Sequence, residues 1–209
     1  MATIMNESDL PEIKRVEIDL DALGLLKDED EFIDLAVQLL VEAASYVVLA
    51  HSLMDSEDGW DRDDAILGGL MVRLYKLICA LLDQVCQRKA EIAQIMCRLA
   101  FETVVDVRYL LRKIDAELAD DFVRSSFRQE RILRDQITER MASRDGGMLP
   151  VEDRMLKSIN HAADMAGISI DDVSTKRRDW GGKNTRAKAN EVFGDDLAYI
   201  GGFSGMSQS

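Results

Sequence analysis

The sequence predicts an all-α protein, a bundle of five or more helices behind an irregular acidic N-terminal arm. Apolar residues recur at spacings of three and four over long stretches, the period of an amphipathic helix. No run alternates apolar and polar residues as a half-buried strand would, and no 20–50-residue repeat is visible. Only two prolines occur in 209 residues, so long helices meet few breakers. Residues 1–27 are assigned to the arm and residues 28–209 to the helical bundle domain.

Within the arm, Ile13, Val16, Ile18, Leu20, Leu23, Leu25 and Leu26 are available to dock on a core. The first helix is predicted over about 29–54, through Phe32, Leu35, Ala36, Leu39, Leu40, Ala43 and Val47. Asp28, Glu29, Asp30 and Glu31 crowd its start, where the helix dipole favours negative charge. A polar turn at 55–64 leads to a second helix over about 62–88. Gly68-Gly69 lies inside that helical pattern, which reads as close helix packing. A third helix over about 90–115 carries Ile92, Ile95, Met96, Leu99, Val107, Leu110, Leu111 and Ile114. Periodicity alone leaves open whether the second and third are continuous near Arg88 and Lys89. A fourth, more charged, is predicted over about 117–143 and ends at Asp145-Gly146-Gly147. A fifth runs from about 151, after Pro150, to 166 and stops at Gly167. Asn184 or Thr185 caps a short helix to Phe193, and an apolar helix opens after Asp195 with Leu197, Ala198, Tyr199, Ile200, Phe203 and Met206. That apolar ending reads as a truncated chain. Its uncovered surface predicts a homo-oligomer or a protein partner, unless the segment folds back on the first helix and the arm.

Charge narrows the function classes. Residues 1–64 hold 18 Asp/Glu against four Lys/Arg, and the whole chain has a net charge of −13. Such a chain repels polyanions, so general nucleic-acid or anionic-membrane binding is not favoured. The segment Ser174 to Asn190 is the exception. It carries Lys176, Arg177, Arg178, Lys183, Arg186 and Lys188 against Asp179. Its ordinary reading is neutralisation of the acidic third; its functional reading is a basic patch at Lys176, Arg177 and Arg178 for a phosphate or an acidic partner.

Cys79, Cys86 and Cys97 lie in apolar helical stretches, the pattern of reduced, buried thiols in a cytosolic protein. No signal peptide is visible. Glu42 interrupts one long apolar stretch, and Arg73 and Lys76 another, so no membrane span is expected. No metal or cofactor is expected either. The chain lacks C-x-x-C and the Glu-x-x-His of di-iron bundles, and Asp55–Gly59 has the wrong register for a calcium loop. Phosphate-loop and nucleophile-elbow motifs are missing as well.

Two groups of residues are candidates for chemistry. Arg98, Glu102 and Asp106 are spaced i, i+4, i+8, one stripe along one helix face among apolar neighbours. They read as a polar seam, mostly buried and paired, with register-fixing salt bridges as its ordinary role and a ligand pocket as its functional one. Arg154 and His161 fit R-x6-H, the outer limit of the pattern in a superfamily of metal-independent helical ribonucleases of toxin–antitoxin and phage-defence systems. There a neutral His takes the 2′-hydroxyl proton and Arg stabilises the phosphorane. The residue after Arg154 is Met155, where that pattern often has a polar one. A surface Arg and a helix-terminal His are the ordinary reading. His51 reads in the same way as a partner of a helix C-terminus.

The run Ala93-Gln94-Ile95-Met96-Cys97-Arg98-Leu99-Ala100-Phe101-Glu102, with Arg98 four residues before Glu102, resembles a bacterial helical family known as domain of unknown function 5677. Asp179-Trp180-Gly181-Gly182 and the closing Tyr199…Phe203-Ser204 resemble it too, and the resemblance covers roughly residues 35–209. It implies an all-helical fold and a following helix with a Ser…His-Gly element past Ser209; it implies no reaction. The leading functional expectation is a cytosolic binding or interaction module, and the alternative is the ribonuclease.

Overall fold

A computed structural model describes residues 12–53, 59–113, 116–176 and 178–204. Among them every regular element is helical. In order these are α1 (Leu20–Leu23), α2 (Glu29–Leu53), α3 (Arg62–Cys86), α4 (Ala90–Lys113), α5 (Ala116–Ser126), α6 (Arg128–Ala142), α7 (Pro150–Met165), α8 (Thr185–Phe193) and α9 (Leu197–Tyr199). Three-residue 3-10 turns at Ile170–Asp172 and Trp180–Gly182 fall between α7 and α8, and a π-turn at Ile200–Ser204 follows α9. The chain forms two compact units, one of residues 1–109 and 188–209, the other of residues 110–187.

In the first unit, α2 and α3 form a helical hairpin. Leu74, Ile78 and Ala100 are buried at its core, and Leu40, Ala44 and Val47 of α2 and Val104 of α4 pack around them. The Asp61 carboxylate caps α3 by accepting the Asp64 N–H at 2.8 Å. Trp60 lies directly on Gly68, where an added Cβ would come within 1.9 Å of the indole, and its ring meets His51 edge-on at 5.1 Å. Gly68 therefore makes the close contact expected of the glycine pair, whereas Gly69 faces open space.

The α3–α4 junction is a break. Lys89 N–H reaches Gln84 C=O and Arg88 N–H reaches Val85 C=O, the paired bonds of a Schellman motif, with Arg88 at φ 56° in the place glycine usually takes. The Arg88 side chain makes an exposed ion pair to Asp30 at 2.5 Å. The arm docks on α2: Glu42 accepts the Val16 N–H at 2.8 Å, and the Tyr46 hydroxyl accepts from Arg15 Nε at 3.2 Å.

In the second unit, Val123, Ile137, Ile159, Ala163, Ile170 and Val173 are buried. The helix expected over 117–143 is two helices, interrupted at Phe127. The Ser126 hydroxyl bonds the Val123 carbonyl at 2.7 Å, a local back-bond of the kind that bends helices without proline or glycine. Arg131 and Arg134 both grip Asp171 and so tie the turn after α7 to α6. Arg144 and Glu152 pair at 2.6 Å across the α6–α7 turn, and Glu152 also accepts the Leu149 N–H, half of a capping box.

One further expectation is corrected. Cys79 and Cys86 are exposed and only Cys97 is half-buried, because α3 turns Leu70, Leu74, Ile78 and Leu81 inward instead. Burial raises the Cys97 thiol pKa. The terminal segment meets α4, where a Cβ on Gly202 would come within 2.5 Å of the Phe101 ring. By length and composition alone, α2 and α3 are both long and apolar enough to cross a membrane. Ile114 and Met206 lie outside the described residues.

Candidate functional site

The stripe on α4 splits into two different environments. Burial along α4 begins at Ala100, and Arg98, two residues earlier in a turn preceded by exposed Ile92 and Ile95, has a side chain 47 % exposed. Its pairing with Glu102 is present but loose, at 3.6 Å. The expected burial of Arg98 is thus corrected. Asp106, two turns further along, is different. Its partner is Lys188 of α8, only 3 % exposed, with Nζ at 3.7 Å from the carboxylate and 5.6 Å from the centre of the buried Tyr109 ring. Burial raises the Asp106 pKa and Glu102 raises it further, while Lys188 and Arg73 oppose the shift. A buried ammonium with a carboxylate and a ring face is held in one place by two helices, which fits it to fix the α4–α8 packing. Lys188 was grouped by sequence with a solvated basic run. Its place beside Ala189 and four residues before Val192, both buried, is the signal that it points inward.

In the second unit the motif Asp179-Trp180-Gly181-Gly182 becomes a hook on α5. Trp180 meets Phe122 edge-on at 5.1 Å, and the Gly181 N–H donates to Asp121 Oδ2 at 2.6 Å. Gly181 and Gly182 have φ of 65° and 67°, two successive left-handed residues that a side chain would strain. The other oxygen of Asp121 takes Arg178 at 2.5 Å. Arg128 Nε donates to the Thr175 carbonyl at 2.9 Å and fixes the strand of chain before the hook.

Between hook and helix lies a cavity of about 560 Å³, within the usual range for small-molecule sites. Lys176 and Arg178 of the predicted basic patch line it, with Arg124 of α5, Arg128 at the start of α6 and the acids Glu117, Asp120, Asp121 and Asp172. Arg177 lies outside the described residues. The wall offers guanidinium and ammonium donors beside carboxylate acceptors. That set suits a small polar ligand with an anionic group, because an Arg fork binds carboxylate or phosphate through two parallel bonds. The α5 contribution was missed from sequence. Glu117, Asp121 and Arg124 recur at i, i+4 and i+7, a charged stripe on one face of α5 that could have revealed it.

Arg154 and His161 are both exposed on α7, and neither lines this cavity or the two others described for the chain. Spaced seven residues apart on one helix, their Cα atoms are separated by roughly 10 Å along its axis. Among the described residues no group of three or more His, Cys, Asp or Glu is arranged to hold a metal ion.

The family model described as a family of unknown function, DUF5677, matches residues 64–209, from the first turn of α3 through the hook and the π-turn. The chain belongs to this family. The DUF5677 match takes in the Asp106–Lys188 pair and the whole α5 cavity, while the arm and α2 precede it. No curated protein and no solved structure is recognisably similar to the chain.

Proposed function

We propose that this chain works by binding rather than by catalysis, and that its ligand is a small polar molecule whose anionic group enters the α5 cavity. The observation that carries the reading is the hook itself. Asp121 binds both Arg178 and the Gly181 N–H, so one wall of the cavity is fixed before any ligand arrives. A prearranged wall lowers the ordering cost of binding. Arg124, Arg128 and Lys176 complete the cationic side. The competing ribonuclease reading rests on Arg154 and His161, which stand exposed on α7 outside the described cavities.

The test is calorimetric titration and thermal shift of the full chain with inorganic phosphate, pyrophosphate and small dicarboxylates. Saturable binding that Arg124→Ala and Arg128→Ala each weaken, with His161→Ala binding as wild type, is the expected result. Failure of every one of these anions to bind sinks the reading. RNA cleavage that His161→Ala abolishes would replace it with the ribonuclease.

A further inference from the structure

The α5 cavity is polarised along its length. Its acids Glu117, Asp120 and Asp121 lie in the first half of α5, and Arg124 lies in the last turn. Glu117 and Arg124 are separated by roughly 10 Å along the helix axis. The facing chain keeps the same order. Arg128 Nε holds the Thr175 carbonyl and Arg178 reaches back to Asp121, so the segment carrying Thr175 and Arg178 runs antiparallel to α5. Lys176 therefore falls at the basic end. Asp172 falls there too, because its neighbour Asp171 is held by Arg131 and Arg134 of α6.

The lining charges differ at the two ends. Arg124, Arg128 and Lys176 stand against one carboxylate, Asp172, which leaves an excess of two positive charges at the basic end. Glu117, Asp120 and Asp121 outnumber Arg178, so the excess at the other end is negative. A hydroxyl adds to the basic end. Ser174 Oγ accepts the Lys176 N–H at 3.2 Å, and its own O–H is left to donate to a ligand oxygen. Leu118 gives the wall an apolar side chain against which a short alkyl linker can lie.

We propose that the ligand of this cavity is an amino phosphate, a phosphomonoester with an ammonium group at its other end. This rests on the anion-binding reading above and names its ligand class. The phosphate sits at Arg124, Arg128 and Lys176, and the ammonium sits at Glu117 and Asp120. A phosphomonoester carries about −1.5 to −2 charge at neutral pH, which matches the excess at the basic end. A monocarboxylate there leaves part of that excess unanswered. A dicarboxylate or polyphosphate long enough to span the cavity sets its far charge against Glu117 and Asp120, where like charges repel.

Calorimetry of the full chain at fixed ionic strength is the test. The probes are aminopropyl, aminobutyl and aminohexyl phosphates, each with a terminal amine, beside alkyl phosphates of the same lengths. At least one amine is expected to bind about tenfold tighter than its alkyl counterpart, the size of one charge-assisted hydrogen bond. Glu117→Gln combined with Asp120→Asn is expected to abolish that gain, and its persistence in this variant overturns the proposal. An amino carboxylate of the best length is expected to bind more weakly; equal affinity overturns the assignment of phosphate. Alkyl phosphates that bind as well as the amines overturn the proposal and leave the anion reading standing. Failure of every anion, inorganic phosphate included, sinks both. If circular dichroism shows the double variant unfolded, the exposed Glu117→Gln alone decides: a reduced gain supports the proposal, and an unchanged gain overturns it.

Discussion

Asp106 and Asp121 make the same kind of contact in opposite settings. Each carboxylate meets a cation from a later part of the chain, Lys188 and Arg178 respectively. Around Asp106 the cation is the buried partner, and its pair lines none of the cavities described. Around Asp121 the cation is 67 % exposed on its side chain, and the carboxylate spends its second oxygen on the Gly181 backbone at a cavity wall. The lesson is that which partner is desolvated decides what the pair does. Burying the cation makes the carboxylate obligatory for packing, whereas leaving the cation wet frees the pair to shape a binding surface.

Removal of each partner breaks that contrast in order of size. Asp106→Ala removes the carboxylate from beside a buried ammonium and is expected to cost about 3–5 kcal/mol of unfolding free energy in urea titration. A cost below that of an ordinary surface pair would mean that Lys188 escapes to water. Asp121→Asn keeps the shape but removes charge from two hydrogen bonds, and about 2 kcal/mol is expected. It should also weaken anion binding in the same calorimetry that tests the cavity; full affinity would show that the hook does not shape the site. Arg98→Ala removes an exposed side chain whose pair with Glu102 is loose, and should shift stability by less than about 1 kcal/mol. A much larger loss would return Arg98 to the seam.

Proton linkage sharpens the comparison. The Asp106 pKa is raised in the folded chain, so the native state holds its proton more tightly than the unfolded state. Stability therefore falls as pH climbs from the ordinary aspartate value to the raised one. Glu152 has the opposite sign. The Arg144 hydrogen bond and the Leu149 N–H lower its pKa, so its contribution is present at neutral pH and is lost as pH falls below the ordinary glutamate range. Denaturation of Asp106→Asn and Glu152→Gln across acidic pH should remove slopes of opposite sign; slopes of the same sign would contradict the assignment.

The helical class was legible because burial in a bundle follows a period that apolar residues reveal directly. The α3–α4 break was not, because the residue at the left-handed position is Arg88 instead of the glycine that usually marks it. Neither was the interruption at Phe127, which no proline or glycine marks and which a serine back-bond accompanies. The cysteines were misplaced for another reason. Helix α3 is apolar on several faces, so composition does not say which one α2 and α4 cover, and Cys79 falls outside it. Of the candidate site, the basic patch and the glycine hook were visible as residues. What joins them is Asp121, an aspartate in a charged helix, and only the folding of the hook onto α5 distinguishes it from its neighbours.

The division of the chain also governs the order in which it is completed on the ribosome. Residues 110–187 interrupt the first unit in sequence, so its last segment emerges only after the whole second unit has been made. Until then Asp106 waits without Lys188, and Phe101 without Phe193, which stacks on it at 6.1 Å. Closing those contacts joins distant points of the chain, the kind of step that slows folding. The second unit, continuous in sequence, has no such delay. Pulse-labelled synthesis should therefore find the inserted unit protease-resistant first, with the enclosing unit following once the segment from Lys188 onward has emerged.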